Sequence, residues 1–252
     1  MGLNILLIGC NGAMGRTITS IVSDNERYQI CAGVDRTAIH DQYPVYQHIS
    51  GIKEPIDVIV DFSSKELLEP ILAFAVERKL PVVLCTTGYD DVDYRAIKEV
   101  ASKVPVFKSA NMSYGVNVVL KLLEQATKLM SEGYDIEIVE KHHNLKKDAP
   151  SGTARMMINT INHALSEERS CVYGREGNET KRQENEIGVH SLRGGTIAGE
   201  HSAIFAGKDE VIEINHSALS KRVFAEGALK AAMYLHGRNP GLYDMNSMIE
   251  NN

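Results

Sequence analysis

Most features that would place a chain outside ordinary globular proteins are missing here. Basic residues are not in excess: 27 Lys and Arg stand against 33 Asp and Glu, for a formal net charge of -6. No non-specific affinity for nucleic acid is therefore expected. No apolar stretch approaches the length of a membrane span. No basic leader opens the chain, and its first apolar run ends in glycines after a few residues, so no signal peptide is expected. Cysteine is scarce: Cys10, Cys31, Cys85 and Cys171 are the four, and no two form a CxxC pair. Three lie in or beside apolar runs, which reads as buried, reduced thiols in a reducing compartment. The expected location is the cytoplasm. No internal repeat and no low-complexity tract is present.

What is present is enough for one large domain or two modest ones: 252 residues, 43% of them hydrophobic. In the first half, short apolar runs at residues 3–9, 28–35, 56–63, 80–88 and 104–111 read as strands. Segments with helical spacing at 13–23, 67–78 and 94–102 lie between them. That alternation predicts a parallel sheet with helices on both faces. After Asn111 the pattern changes. A long helix is expected at 116–130. A strand follows at 134–143, where apolar and charged residues alternate, then a helix from 151 to about 165. The stretch 167–186 is polar and reads as a loop. "IGVHSLRGG", "GEHSAIFAG" and "EVIEINHSA" look like three strands of an open sheet with one covered face. An alanine-rich helix at 223–235 closes the pattern. The expected fold class is α/β: a Rossmann-type doubly wound parallel sheet plus a second α+β domain with an open mixed sheet. The expected division is 1–112 with 223–252, for dinucleotide binding, and 113–222, for substrate binding.

"GCNGAMG" places Gly9, Gly12 and Gly15 between the first strand and the first helix. Gly9 permits a tight turn, Gly12 lets backbone approach a pyrophosphate, and Gly15 lets helix pack closely on strand. The helix start then offers free N–H groups to the anion. Twenty residues after Gly15, Asp35 ends the second strand, where an acid holds ribose hydroxyls. The spacing is GxxGxxG rather than GxGxxG, and glycines alone would equally suit a plain βα turn. The full set of strand, glycines, helix, second strand and acid favours dinucleotide binding. Arg36 suits a 2′-phosphate, which Asp35 repels, so both NADH and NADPH are expected as cofactors. "CTTG" at 85–88 and "SANMS" at 109–113 follow strands of the same sheet. They are placed to touch the nicotinamide half, and serve equally well as caps and turns.

"EKHHNLKKDAPSGTA" at 140–154 packs two histidines, three lysines and one aspartate into its first nine residues. Pro150 suits a helix start, and Ser151 or Thr153 suits an N-cap. Backbone N–H groups around Ser151, Gly152 and Thr153 would then form an anion site, with Gly152 letting a carboxylate approach. The combination points to a small anionic substrate, neutralised by cations and exchanging a proton with a histidine or lysine. A zinc site built from the paired histidines and Asp148 is the rival. Adjacent strand residues point to opposite faces, however, and no HExxH or cysteine pair supports a metal. A solvated basic loop is the plainer alternative, and the Pro-Ser-Gly-Thr continuation argues against it.

The stretch resembles the signature E-x-H-H-x-x-K-x-D-A-P-S-G-T-A of the 4-hydroxy-tetrahydrodipicolinate reductase (dihydrodipicolinate reductase) family of the bacterial diaminopimelate–lysine pathway. The resemblance extends over nearly the whole chain, through Met14-Gly15, the "TTG" loop, "NMSYGVNV", "RGGTIAGEH" at 193–201 and "GLYDM" at 241–245. It implies reduction of a cyclic imine, derived from 4-hydroxy-tetrahydrodipicolinate, by NADH or NADPH. It also implies a small dicarboxylate substrate, a Rossmann domain plus a mixed-sheet domain, and a homotetramer assembled through those sheets. No metal, nucleic-acid or membrane partner is expected. Carried over residue by residue, it implies His142 as acid/base and Lys146 as proton donor. His143, Gly152 and Thr153 would be substrate contacts. Gly9, Cys10, Asn11, Gly12, Ala13, Met14, Asp35, Arg36, Cys85, Thr86, Thr87, Ser109, Ala110, Asn111 and Met112 would be cofactor contacts. Two positions depart from the family pattern: Cys85 stands where glycine is common, and Asp35 where glutamate is common. Both bear on the choice between NADH and NADPH. Two other classes are weighed against this one. A non-catalytic NAD(P)-binding sensor would bind cofactor without turnover, and an aspartate- or homoserine-type dehydrogenase would share the glycine turn but lack the paired histidines.

Overall fold

A computed structural model describes residues 2–38 and 42–250. In chain order its strands are β1 Leu3–Ile8, β2 Tyr28–Val34, β3 Val45–Tyr46, β4 Val58–Asp61, β5 Val82–Leu84, β6 Pro105–Lys108, β7 Asp135–His142, β8 Ser170–Tyr173, β9 Glu186–Arg193, β10 Gly199–Ala206, β11 Val211–Ala218 and β12 Gly241–Tyr243. Its α-helices are α1 Ala13–Ser23, α2 Leu68–Arg78, α3 Asp91–Ala101, α4 Tyr114–Leu129, α5 Gly152–Ala164, α6 Arg222–Leu235 and α7 Met245–Glu250. The chain divides into two compact units, Met1–Tyr114 with Lys221–Asn252, and Gly115–Ser220.

The first unit is built on a seven-stranded sheet in the order β12-β6-β5-β4-β1-β2-β3, with every pairing parallel. Successive side chains of a strand point to opposite faces, so a strand covered on both sides must be apolar at every position. β1 follows this from Ile5 onward, its polar Asn4 lying half-buried near the strand start: Ile5 and Leu7 pack with Ile18 of α1 and Ala228 and Leu229 of α6. Leu6 and Ile8 pack on the other face with Ile71 of α2 and Ile97 of α3. The strand order reverses at β1, which pairs with β2 on one side and β4 on the other. Ligands of doubly wound sheets bind outside the carboxyl ends of the strands at such a point. Small residues bring two helices close to it. A Cβ on Gly15 would lie 2.4 Å from the Gly9 carbonyl oxygen, and one on Gly227 of α6 would lie 1.6 Å from that of Met112.

The second unit holds a five-stranded sheet in the order β11-β10-β7-β9-β8. β9 runs parallel to both β7 and β8, while β10 runs antiparallel to β7 and β11, so the sheet is mixed. Its covered face carries Ile136, Ile138, Ile187, Val189, Ala203 and Phe205. These pack against Leu123 of α4 and Ala154, Met157, Ile158 and Ile161 of α5. The other face of β7 is charged: Glu137 meets Arg175, Arg182 and His190, and Lys141 meets Glu200.

Several elements lie outside the sequence expectation. β3, β12 and β8 have two to four residues each, too short to show a period, and β8 falls inside the segment read as loop. α7 was not expected either. The four cysteines are free; Cys10 is buried and burial raises the Cys85 thiol as well, whereas Cys31 and Cys171 are half-buried, so the expectation of buried thiols holds for Cys10 and Cys85.

Gly227→Ala is expected to lower stability by about 1–3 kcal/mol, because the added methyl meets a backbone carbonyl that cannot yield without shifting the 109–113 segment. A denaturant melt measures this, and an unchanged midpoint would contradict the close approach.

Candidate active site

In the first unit the glycine turn connects β1 to α1. Gly9 has φ +76°, a left-handed conformation that favours glycine. Gly12 is the N-cap of α1 and carries no side chain to cap it, so no side-chain oxygen occupies the start of the helix. Asn11 donates its backbone N–H to Asp35 Oδ2 at 2.9 Å, and Arg36 donates its own to Asp35 Oδ1 at 2.8 Å. The Asp35 carboxylate is thus tied to the turn and keeps lone pairs for a hydroxyl. Gly9, Asn11, Gly12, Asp35 and Arg36 line a cavity of about 640 Å³, together with Ser63 and other residues of the β4 end. An uncapped helix start, a left-handed glycine and a fixed acid around one cavity fit the pyrophosphate and ribose of a dinucleotide. Cys10 is buried, and burial with the nearby Asp35 charge pushes its thiol up to about 11.

The segments after β5 and β6 are tied to a buried acid not foreseen in the sequence. Asp61, at the end of β4, accepts from Thr86 Oγ1 at 2.8 Å and from the Ser63 backbone at 2.9 Å. Burial raises its carboxyl. Thr86 is therefore turned inward, whereas Thr87 is exposed. Lys108, its ammonium disfavoured by burial, donates to the Thr86 carbonyl at 2.8 Å and the Ser109 carbonyl at 3.4 Å. Ser109 Oγ donates to the Asn111 carbonyl, and Asn111 Oδ1 accepts from the Ser113 N–H at 2.8 Å. Met112 lies in the core. These side chains hold turns; contact with a cofactor would come from Thr87, Ala110 and the backbone.

In the second unit β7 delivers the signature. Glu140 and His142 lie on its covered face, beyond Ile136 and Ile138, where the apolar core gives way to polar side chains. Glu140 has no exposed surface. Its Oε2 lies 2.6 Å from His142 Nδ1 and accepts from Arg193 at 2.8 Å; its Oε1 accepts from Arg193 at 2.7 Å and the Ser151 N–H at 3.1 Å. Burial alone would raise this carboxyl, but hydrogen bonds from Arg193, Ser191 and His142 outweigh it and hold it at about 2. The His142 ring packs edge-on against His201 at 5.1 Å. His201 Nε2 meets Ser151 Oγ at 2.8 Å, and burial, with His142 nearby, lowers this imidazole to about 4. Ser151 is the N-cap of α5 and accepts from the Ala154 N–H. Gly152 faces open space, so no protein atom demands glycine there. Beyond His142 the chain leaves the sheet. Lys146 Nζ pairs with Asp148 Oδ1 at 2.8 Å, and Lys147 is exposed. His143 is half-buried and lies just beyond the end of β7. Among the described residues no three His, Cys, Asp or Glu side chains gather as a metal site. Glu140, Arg193 and His201 were visible only as letters of the signature and of "RGGTIAGEH". Nothing in the sequence said that they meet.

The chain matches two family models, "Dihydrodipicolinate reductase, N-terminus" over residues 3–112 and "Dihydrodipicolinate reductase, C-terminus" over residues 115–249. A protein named 4-hydroxy-tetrahydrodipicolinate reductase from Caldanaerobacter subterraneus subsp. tengcongensis is 47% identical over 250 residues, covering 99% of each chain. One of the same name from Clostridium tetani is 46% identical, covering 98% of this chain and 97% of that one. Among solved structures, a dipicolinate-bound dihydrodipicolinate reductase from Paenisporosarcina sp. TG-14 superposes with a TM-score of 0.81 at 21% identity. It covers 98% of this chain and 99% of its own, and carries the likeness of fold.

The two shifted groups predict an acid-sensitive second unit. Glu140 stabilises the fold above its unfolded value of 4.5, and that contribution is lost as pH falls toward 2. His201 is held neutral, so below 6.5 the unfolded chain binds a proton that the folded one refuses until about 4. Stability should therefore fall between pH 6.5 and 4 by up to about 3 kcal/mol from His201. Urea midpoints across that range check it. His201→Asn should flatten the slope, and an equal slope in the variant would refute the assignment.

Proposed function

The chain belongs to the dihydrodipicolinate reductase family, and from that premise we propose that it reduces 4-hydroxy-tetrahydrodipicolinate, by way of the dihydrodipicolinate imine, to tetrahydrodipicolinate. It acts as an NAD(P)H-dependent oxidoreductase in the diaminopimelate route to lysine. The observation that carries this is the 140–153 segment, which joins a carboxylate-bound histidine, a lysine loop and the start of α5 in one place.

The substrate carries two carboxylates. One is assigned to the N-terminus of α5, where Gly152 and Thr153 offer backbone N–H groups and the helix dipole favours an anion. The other is assigned to the cations of the loop, with His143 as a further contact. Bound NAD(P)H supplies the hydride. The protein positions the ring, balances its charge and supplies the proton that must accompany the hydride, from Lys146 or His142. Dipicolinate, a planar dicarboxylate, occupies the structurally similar reductase, which supports the substrate class.

In the first unit, Gly9, Asn11, Gly12, Ala13 and Met14 are assigned to the pyrophosphate, and Asp35 to the ribose. The exposed Arg36 is assigned to a 2′-phosphate, so both cofactors are expected to serve. The first unit is read as the dinucleotide-binding domain and the second as the substrate-binding and oligomerisation domain. The assembly is read as a homotetramer formed through the open sheet face, located in the cytoplasm. No helix is long and apolar enough to cross a membrane among the described residues.

Cofactor oxidation, with substrate generated in situ from pyruvate and aspartate semialdehyde, tests the reading with NADH and NADPH side by side. Lys146→Ala should lower turnover by about 10²–10⁴-fold. Wild-type protein that binds cofactor but never turns over would make it a binding protein instead.

A further inference from the structure

We infer that Glu140 is the positioning residue of this site: it holds His142 as the Nδ1–H tautomer, leaves Nε2 as the nitrogen that exchanges the proton, and fixes the start of α5 with the same carboxylate. The inference rests on the reading of His142 as a proton-exchanging group and adds which atom acts and what sets it.

The geometry leaves little choice. An ionised carboxylate only accepts, so the 2.6 Å contact between Glu140 Oε2 and His142 Nδ1 requires the proton to sit on Nδ1. Glu140 cannot take that proton for itself, because Arg193 donates to both of its oxygens. Nε2 is left as the nitrogen that gains and loses a proton. Gly199 lies against that edge of the ring without crowding it: a Cβ there would stand 3.1 Å from His142 Nε2. When the imidazolium gives up its Nε2 proton, the N–H electron pair returns to the ring and the neutral Nδ1–H form remains. Glu140 stays ionised throughout. The charged and titratable groups around His142 are Glu140, Arg193 and His201, with Lys146 on the following loop. The other oxygen, Oε1, accepts the Ser151 N–H at the N-cap of α5, and Arg193 also donates to the Asp148 carbonyl at 2.7 Å. One carboxylate and one guanidinium thus set the register between the proton-exchanging ring and the helix start assigned to the substrate carboxylate.

The test is the imidazole ¹⁵N spectrum of the whole protein near pH 8, with kinetics of Glu140→Gln, His142→Gln and the double variant. Wild type should show His142 protonated on Nδ1 and unprotonated on Nε2; the reverse pattern overturns the inference without any variant. In Glu140→Gln the amide NH₂ confronts an Arg193 donor at either end, so the single tautomer should be lost. Turnover should fall at least about 10²-fold, while KM for NAD(P)H stays within about twofold. The double variant should be no slower than His142→Gln, because both act through one ring; additive losses would count against it. Full activity in Glu140→Gln with loss in His142→Gln overturns this inference alone. Full activity in His142→Gln overturns the His142 assignment itself. Should Glu140→Gln fail to fold, the wild-type spectrum still decides.

Discussion

A fully buried carboxylate sets the terms for the second unit. Taking a charge out of water costs several kcal/mol, and that cost is offset only when every lone pair finds a donor in good geometry. Glu140 meets the condition from three directions at once: from β9 through Arg193, from its own strand through His142, and from the start of α5 through Ser151. The sheet order makes this possible. β7 sits between β9 and β10, and the parallel β7–β9 register sets His142 beside Arg193. A slip of that register by one residue would turn Glu140 to the open face, leave Arg193 facing nothing of opposite sign, and strand a charge. The mixed topology and the site are consequences of the same constraint.

The first unit rests on a different economy of space. Its central strands are apolar where both faces are covered, so most polar side chains lie toward the strand ends. Asp61, Thr86 and Lys108 occupy those ends and are engaged with one another's loops rather than with solvent. Glycine serves two purposes in the molecule. At Gly15 and Gly227 it admits backbone, so that α1 and α6 lie close to the turns they support. At Gly188 and Gly199 it admits side chains, the Glu137 carboxylate in one case and the His142 imidazole in the other.

What the sequence made legible was local. The glycine turn and the proline-led start of α5 are each encoded within a few consecutive residues, and Asp35 follows β2, one βα unit after the turn. What stayed hidden was long-range or directional. Arg193 is 53 residues from Glu140, and His201 is 50 from Ser151, so no spacing rule joins them. Residue type also says nothing of which way a side chain turns: Thr86 and Met112 turn their side chains into the protein, which leaves their backbone for the expected cofactor contact. The short strands β3, β8 and β12 form because a neighbouring edge accepts them, a cause that lies outside their own two to four residues.

Most cations around the 140–153 segment already have a carboxylate partner. Arg193 is committed to Glu140, Lys141 to Glu200, and Lys146 shares its charge with Asp148. The uncommitted positive potential is therefore modest: the N-terminus of α5, the exposed Lys147, and whatever part of Lys146 its partner releases. Asp148 is 55% exposed, so its pairing with Lys146 is screened by water and is worth at most about 1 kcal/mol. An arriving carboxylate can displace such a partner at little cost, whereas it cannot displace Glu140 from Arg193. The buried pair thus fixes the frame, and the exposed pair would supply the cation to the substrate proposed above. The lysine that would follow the substrate is the one whose partner is easiest to lose.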